Sequence, residues 1–177
     1  MPTETLVSVE GNEETREATV IRELGQPGDL GWVIKAHGEL YARESGWDTS
    51  FEALVARIVA DFAAAHDPDR EAAWIAELDG HRVGCVFCVD GGDDTAVLRV
   101  LLLHPDARGH GVGGELVDTC LGFARKAGYA GMRLWTTDQQ ATAGRLYQSR
   151  GFELTSEKPH DGFGTGPVNG QTYALTF

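Results

Sequence analysis

Hydrophobic positions along the chain change period several times, and each change marks an element. Residues 18–23 alternate as a short strand, and the Gln26-Pro27-Gly28-Asp29 turn follows, with Asp29 expected to cap the next segment. Over 30–44 the period becomes helical: Leu30, Val33, Ile34, His37, Leu40, Tyr41 and Glu44 fall on one face. Gly46 to Ser50 interrupts that helix and offers Asp48 or Thr49 as a new cap. Phe51, Leu54, Val55, Ile58, Val59 and Phe62 then recur at three- and four-residue spacing, which predicts a second helix ending near His66 and Pro68.

From there the period shortens to that of strands. Residues 73–77 and 82–89 are joined by an Asp79-Gly80 turn. A second turn at 91–94 leads into 96–103, which is so nearly all apolar that it predicts a central strand covered on both faces. A glycine-rich loop over 105–111 opens a helix with Val112, Leu116, Val117, Cys120, Leu121 and Ala124 on one face. A strand over 132–136 and a short helix over 141–150 follow, the helix carrying Ala143, Leu146 and Tyr147 and closed by Gly151. Strands at 152–155 and 172–176 flank a Gly- and Pro-rich loop over 157–170. The order β-α-α-β-β-β-α-β-α-β-β predicts a mixed α/β layered domain over 19–177, behind a polar, acidic segment 1–18 expected to be flexible.

Composition narrows the function. Hydrophobic residues make up 42% of 177, enough for one core. Acids outnumber Lys plus Arg by 27 to 15, a net charge of −12 that opposes nucleic acids and anionic membranes as partners. No apolar run approaches a bilayer span, and residues 1–12 have neither the basic nor the apolar region of a secretory signal, so a cytoplasmic protein is expected. Three cysteines make no disulfide framework. Cys85 and Cys88 form a C-x-x-C pair, but on a strand they point to opposite faces. With no second pair, the reading is buried thiols and no metal.

The sharpest motif is His104-Pro-Asp-Ala-Arg108-Gly109-His110-Gly111-Val112-Gly113-Gly114, between an apolar strand and an amphipathic helix. Glycines admit a ligand close to the backbone, and a helix N-terminus presents free N–H groups and partial positive charge, so the loop is suited to phosphate. Gly109-x-Gly111-x-x-Gly114 matches the dinucleotide fingerprint formally, and Asp138 stands roughly where a ribose-binding acid would. The context differs: Pro105 to Arg108 intervene after the strand, too few residues follow for a doubly wound sheet, and a strand meander precedes the loop.

Arg108-x-x-Gly111-x-Gly113 after such a strand instead resembles the acyl-CoA pyrophosphate loop of the GNAT superfamily of N-acyltransferases. Ala143-Gly-Arg-Leu-Tyr147-Gln-Ser-Arg-Gly151-Phe152 is similar to that family's A-x-x-L-Y-x-x-x-G-F helix. Gly31-Trp32-Val33, His37 to Glu44, Gly46-Trp47-Asp48, Pro159-His160, Phe163-Gly164 and Gly170-Gln171-Thr172 resemble a subgroup also found fused to MarR-type regulators. The resemblance implies a largely antiparallel mixed sheet splayed at its central strand, with helices on both faces. It implies acetyl-CoA as co-substrate and an amine acceptor, small molecule or protein. It places the pyrophosphate on the amides of Arg108, Gly109, His110, Gly111, Val112, Gly113 and Gly114, and the pantetheine arm along Leu101, Leu102 and Leu103. A bulge or V-shaped gap is expected between Val100 and Leu103. Tyr147 is implied as general acid, since a phenol stays protonated at neutral pH.

The general base is open. The central strand carries Arg99 where the family often has an acid. His104, titratable near neutrality, is one candidate, and His160 another. His37 and Glu44, polar groups on an apolar stripe, are either an internal pair or a wall of the acceptor pocket, with Trp47 and Phe163 as its aromatic part. Gln140 stands where many relatives have Asn. Two rival functions remain in view: a catalytically silent acyl-CoA sensor and a dinucleotide-dependent oxidoreductase. A homodimer is compatible with the sequence but not required by it. The charge balance predicts sign separation, positive at the phosphate loop and negative at the acceptor mouth.

Overall fold

The computed structural model describes residues 19–177; segment 1–18, expected to be flexible, lies outside the described residues. Strands β1 (Thr19–Glu23), β2 (Ala72–Leu78), β3 (His81–Asp90), β4 (Thr95–Leu103), β5 (Gly131–Thr137), β6 (Glu153–His160) and β7 (Val168–Thr176) form one seven-stranded sheet. Their order is β1-β2-β3-β4-β5-β7-β6. The β4–β5 pair alone is parallel. Helices α1 (Asp29–Ser45) and α2 (Thr49–Ala65) cover one face, and α3 (Val112–Lys126) and α4 (Ala141–Ser149) the other. This is the mixed, largely antiparallel α/β fold expected. It overturns the dinucleotide reading, because a meander with one parallel pair has no doubly wound sheet to carry it.

Side chains alternate between the two cores as the strand period requires. In β3, Cys85 and Phe87 face α1 and α2, while Val86 and Cys88 face α3. The two cysteines therefore enter different cores, and all three thiols are free and buried. In β4 the alternation breaks. Ala96 and Leu98 face α3, but so do Leu101 and Leu103, and Val100 and Leu102 face the other side. The cause is one extra residue: Cys85 pairs with Leu102 and Phe87 with Arg99, so two steps on β3 oppose three on β4. Val100 takes a φ of 44°, a true outlier for a β-branched residue. Its carbonyl accepts the Cys85 thiol at 3.2 Å.

The parallel β4–β5 ladder holds only at Thr95, Ala96 and Val97, after which β5 pairs with β7 alone and the strands part. The gap opens earlier than Val100, where it was expected to begin.

Two local expectations are corrected. The long loop over 157–170 is a hairpin: β6 pairs with β7 from Glu153 to His160, leaving 161–167 as the connection. Asp29 is not the cap of α1; Gly28 is, in a left-handed conformation that suits glycine. Asp29 begins the helix, fully buried, and the buried stripe runs Asp29, Val33, His37, Leu40, while Leu30 is exposed. Its carboxylate accepts from Arg22 at 2.9 and 3.0 Å, Arg82 at 2.8 Å, and the Gly25 and Gln26 amides at 2.9 Å each. Burial alone would raise its pKa; the Arg22, Gly25, Arg82 and Gln26 bonds outweigh that and hold it below the carboxylate range. This hub ties β1, β3 and the start of α1 together.

Removing one member of a buried ion cluster strands the others, so Asp29→Ala should cost about 3–5 kcal/mol of unfolding free energy, read from denaturant midpoints at constant slope. A loss under about 1 kcal/mol, the scale of an exposed pair, would show that the cluster is not structural.

Candidate active site

A cleft of about 410 Å³ opens where β4 and β5 part. Its walls are Val97 to Leu101 of β4, Arg133 to Thr137 of β5, Gln140, Ala143 and Tyr147 beside and on α4, His37 and Tyr41 of α1, Trp47, and Phe51, Leu54, Val55 and Ile58 of α2. Strand divergence thus gives one cavity reaching both helical layers. Among the described residues, the β4 edge beyond Val97 has no strand partner on the β5 side, so the peptide groups on that side face the cleft unpaired, while the other side pairs with β3.

At the far end of β4 the chain makes a short 3₁₀ turn at Pro105–Ala107, in which the His104 imidazole accepts the Asp106 amide at 3.3 Å. Gly109 and Gly111 both adopt positive φ, and Gly111 begins α3 without a side-chain cap. Among the described residues, the backbone amides from Gly109 through Gly114 donate to no acceptor; the first helical bond is Glu115 to the Gly111 carbonyl. Orphan amides at a helix N-terminus form an anion site in kind. Gly114 also serves packing: the Arg150 guanidinium, held by Asp118 at 3.1 and 3.2 Å, lies where its Cβ would be. Arg108 makes a two-pronged pair with Glu44 at 2.7 and 3.0 Å, which raises its pKa.

Tyr147 is buried against Phe152 and Tyr173 and lines the cleft, and its hydroxyl makes no hydrogen bond among the described residues. Burial first, then Tyr41, pushes its pKa well above the phenol range. His37 is 2% exposed; its Nδ1 meets the Val33 carbonyl at 2.7 Å and its Nε2 has no partner. Thr137 Oγ1 is the other unpartnered buried polar atom among the described residues, and both belong to the cleft wall.

The structure brings some of the sequence candidates into the cleft wall and places others elsewhere. His37, Trp47, Leu101, Gln140 and Tyr147 line the cleft. Phe163 and His160 stand behind that wall, Phe163 against Trp47 and Phe51, and His160 against Trp135. Glu44 is no wall residue: it clamps Arg108. His104 borders a different depression with Trp32 and Lys35 on the outer side of α1. Among the described residues, the charged side chains of the lining are Arg99 and Arg133. Tyr41, Trp135 and Thr137 were not anticipated. Trp135 alone left a signal, an aromatic on a strand otherwise facing the core. Among the described residues no group of His, Cys, Asp or Glu could hold a metal, and no helix is long and apolar enough to cross a membrane.

Burial lowers the His37 pKa from 6.5 to about 4, against the opposing Val33 and Val100 carbonyls. The folded imidazole is therefore neutral while the unfolded one charges below about 6.5. Between those values the unfolded chain binds the extra proton, so stability rises with pH across the window and is lost as pH falls through it, by on the order of 3 kcal/mol. Denaturant midpoints from pH 7 to 4 should show this slope, and His37→Leu should flatten it.

Comparison with known proteins agrees with this geometry. The model of the acetyltransferase (GNAT) family matches residues 32–152. Human N-acetyltransferase 8B is 38% identical over 89 residues, 48% of this chain, and the match spans only 39% of that protein's length. An N-acetyltransferase of Schizosaccharomyces pombe is 29% identical over 122 residues, 68% of this chain and 75% of that one. Among solved structures, the Salmonella typhimurium protein yncA, solved with its cofactor acetyl-CoA, superposes with a TM-score of 0.73 at 21% identity, covering 90% of this chain and 94% of that one. An acetyltransferase from Streptococcus agalactiae does so with a TM-score of 0.74 at 20% identity over 90% and 98%. With the family model spanning α1 beyond its first turn, α2, the parted strands, the glycine loop and α4, the chain belongs to the acetyltransferase (GNAT) family.

Proposed function

We propose that this chain transfers an acetyl group from acetyl-CoA to a primary amine by direct attack. The observation that carries the reading is the run of unsatisfied amides from Gly109 to Gly114, set at the end of a strand whose edge lies open along the cleft. The loop amides suit the pyrophosphate, and the free edge from Leu101 to Leu103 suits the pantetheine arm, which offers amides of its own. Acetyl-CoA supplies a thioester carbonyl carbon that an amine attacks and a thiolate that leaves.

The remaining work belongs to side chains of the cleft. Tyr147 keeps its proton in solution because burial raises its pKa, and it gives that proton to the sulfur that leaves beside it. With its pKa lowered to about 4, His37 is a weak base, so the amine enters unprotonated and the proton it loses on attack replaces the one Tyr147 gives the thiolate. His104 has no part in this reading, being turned to another surface. A catalytically silent acyl-CoA-binding module is the second reading, favoured by the absence of a carboxylate from the cleft lining among the described residues.

Thiol release from acetyl-CoA with a broad amine panel tests both. Tyr147→Phe should lower kcat by about 100-fold with the acetyl-CoA KM unchanged; unaltered kcat would remove the acid role. Gly111→Asp puts a side chain at positive φ and a negative charge beside the loop amides, so calorimetric acetyl-CoA affinity should fall at least about 100-fold. Retained affinity would refute the loop assignment. Tight acetyl-CoA binding with no turnover on any amine would establish the silent module.

A further inference from the structure

The acceptor half of the cleft carries a charge pattern that the amine reading does not require. Arg99 of β4 and Arg133 of β5 lie on the same sheet face, facing α2, because Ala96, Leu98, Met132 and Leu134 occupy the opposite one. Both line the cleft. Among the described residues Arg99 makes no hydrogen bond or ion pair, and Arg133 uses one donor on the Gly91 carbonyl at 2.8 Å. A guanidinium has five donors, and those of Arg99, which is exposed at the cleft, meet solvent rather than a protein acceptor, in a chain where acids outnumber Lys plus Arg by 27 to 15. Other arginines of this protein have found carboxylates: Arg22, Arg82, Arg108 and Arg150 are all paired.

These two arginines are not placed for the phosphates of the co-substrate. The glycine loop begins beyond Leu103, four residues along β4 from Arg99, which is about 13 Å in extended chain. The arginines stand on the other side of the Val100 bulge. Between them and α2 the wall is apolar: Phe51, Leu54 and Ile58, with Trp135 alongside.

From this arrangement we propose that the acceptor is a small amino acid-like amine: its carboxylate is held by Arg99 and Arg133, its apolar or aromatic side chain lies on the α2 wall, and its amino group points toward the bulge. A forked guanidinium matches a planar carboxylate in two parallel bonds, which Arg99 can offer, while Arg133, held on the same face by the Gly91 carbonyl, adds positive charge at longer range. A protein lysine or a plain alkylamine leaves both arginines unanswered. This inference rests on the acetyltransferase reading, so its test includes a readout that needs no turnover.

Purified full chain with acetyl-CoA is assayed on phenylalanine, leucine and methionine against phenylalaninamide, phenethylamine and isoamylamine. The carboxylates should exceed their amide and amine counterparts in kcat/KM by at least about tenfold. Arg99→Gln, which breaks no contact seen in the fold, should raise the KM for phenylalanine about tenfold or more while leaving the KM for acetyl-CoA and the Tm unchanged. In parallel, calorimetry compares N-acetylphenylalanine with its amide on the wild type and on Arg99→Gln. Preference for the acid that disappears in the variant supports the carboxylate site even without turnover. Amides or amines used as well as the acids, or equal calorimetric affinity for acid and amide, overturns it. Failure of acetyl-CoA to bind would sink the acetyltransferase reading instead and leave the calorimetric comparison decisive for this one.

Discussion

One extra residue in β4 governs this molecule. Val100 sits at a φ of 44°, and a strained backbone of this kind costs about 1–3 kcal/mol, which only an overdetermining environment can hold. Here the environment is two cores. Leu98 is locked among α3-side residues before the bulge, and Leu102 among α1- and α2-side residues after it. Relaxing Val100 to a regular strand would turn one of those leucines the wrong way, with the penalty of exposing or misplacing a large apolar side chain. The Cys85 thiol bonds the displaced carbonyl, and the pKa of that thiol is raised by the same burial. The bulge lies just beyond Val97, where β4 and β5 already part, and it turns the strand further from β5 on the side where the cleft is open.

Helix α1 serves both halves of the cleft. His37 and Tyr41 form part of its wall, while Glu44, less than two turns further on, grips Arg108 of the glycine loop. That pair is substantially exposed, with the side chains 47% and 40% accessible, and pairs of this kind are worth at most about 1 kcal/mol. It orients the loop arginine at small cost and yields easily to a stronger anion. Asp29, at the opposite end of the same helix, is buried and fixed by two arginines and two amides, so α1 is anchored firmly at its start and lightly at its functional end.

Much of the fold was legible because it depends on local period. The helices over α1 to α4 and strands β2 to β5 follow from apolar spacing, and the Asp48 cap and the Gly151 stop from turn chemistry. The β6–β7 hairpin was not legible, since β6 is exposed at most positions and its polar, Pro-containing sequence has no alternation to read. Asp29 was misread for a related reason: a cap and a buried ion hub look alike until Arg82, fifty-three residues away, is brought beside it. At the site, the glycine loop and Tyr147 were visible as motifs. The cleft wall was not, because Tyr41, Arg133 and Trp135 converge through strand divergence, a property of two chains of residues rather than one. Arg99 was visible only as something out of place, an arginine where an acid was expected.

That substitution of sign changes the meaning of the net charge. A global −12 repels acetyl-CoA, which must be held against the field by contacts made at short range, the loop amides above all. It was first expected to draw a cationic amine toward an acidic mouth, yet the lining offers arginines there. An amino acid in solution is a zwitterion, on which a distant field exerts almost no net pull. For the proposed amino acid acceptor, capture would depend on local complementarity, Arg99 for the carboxylate and the apolar α2 wall for the side chain, and the acid-rich exterior would neither help nor hinder. The two ligands then divide in their response to salt: the acetyl-CoA on-rate rises as ionic strength screens the repulsion, while acceptor KM, set by contacts inside the cleft, changes little.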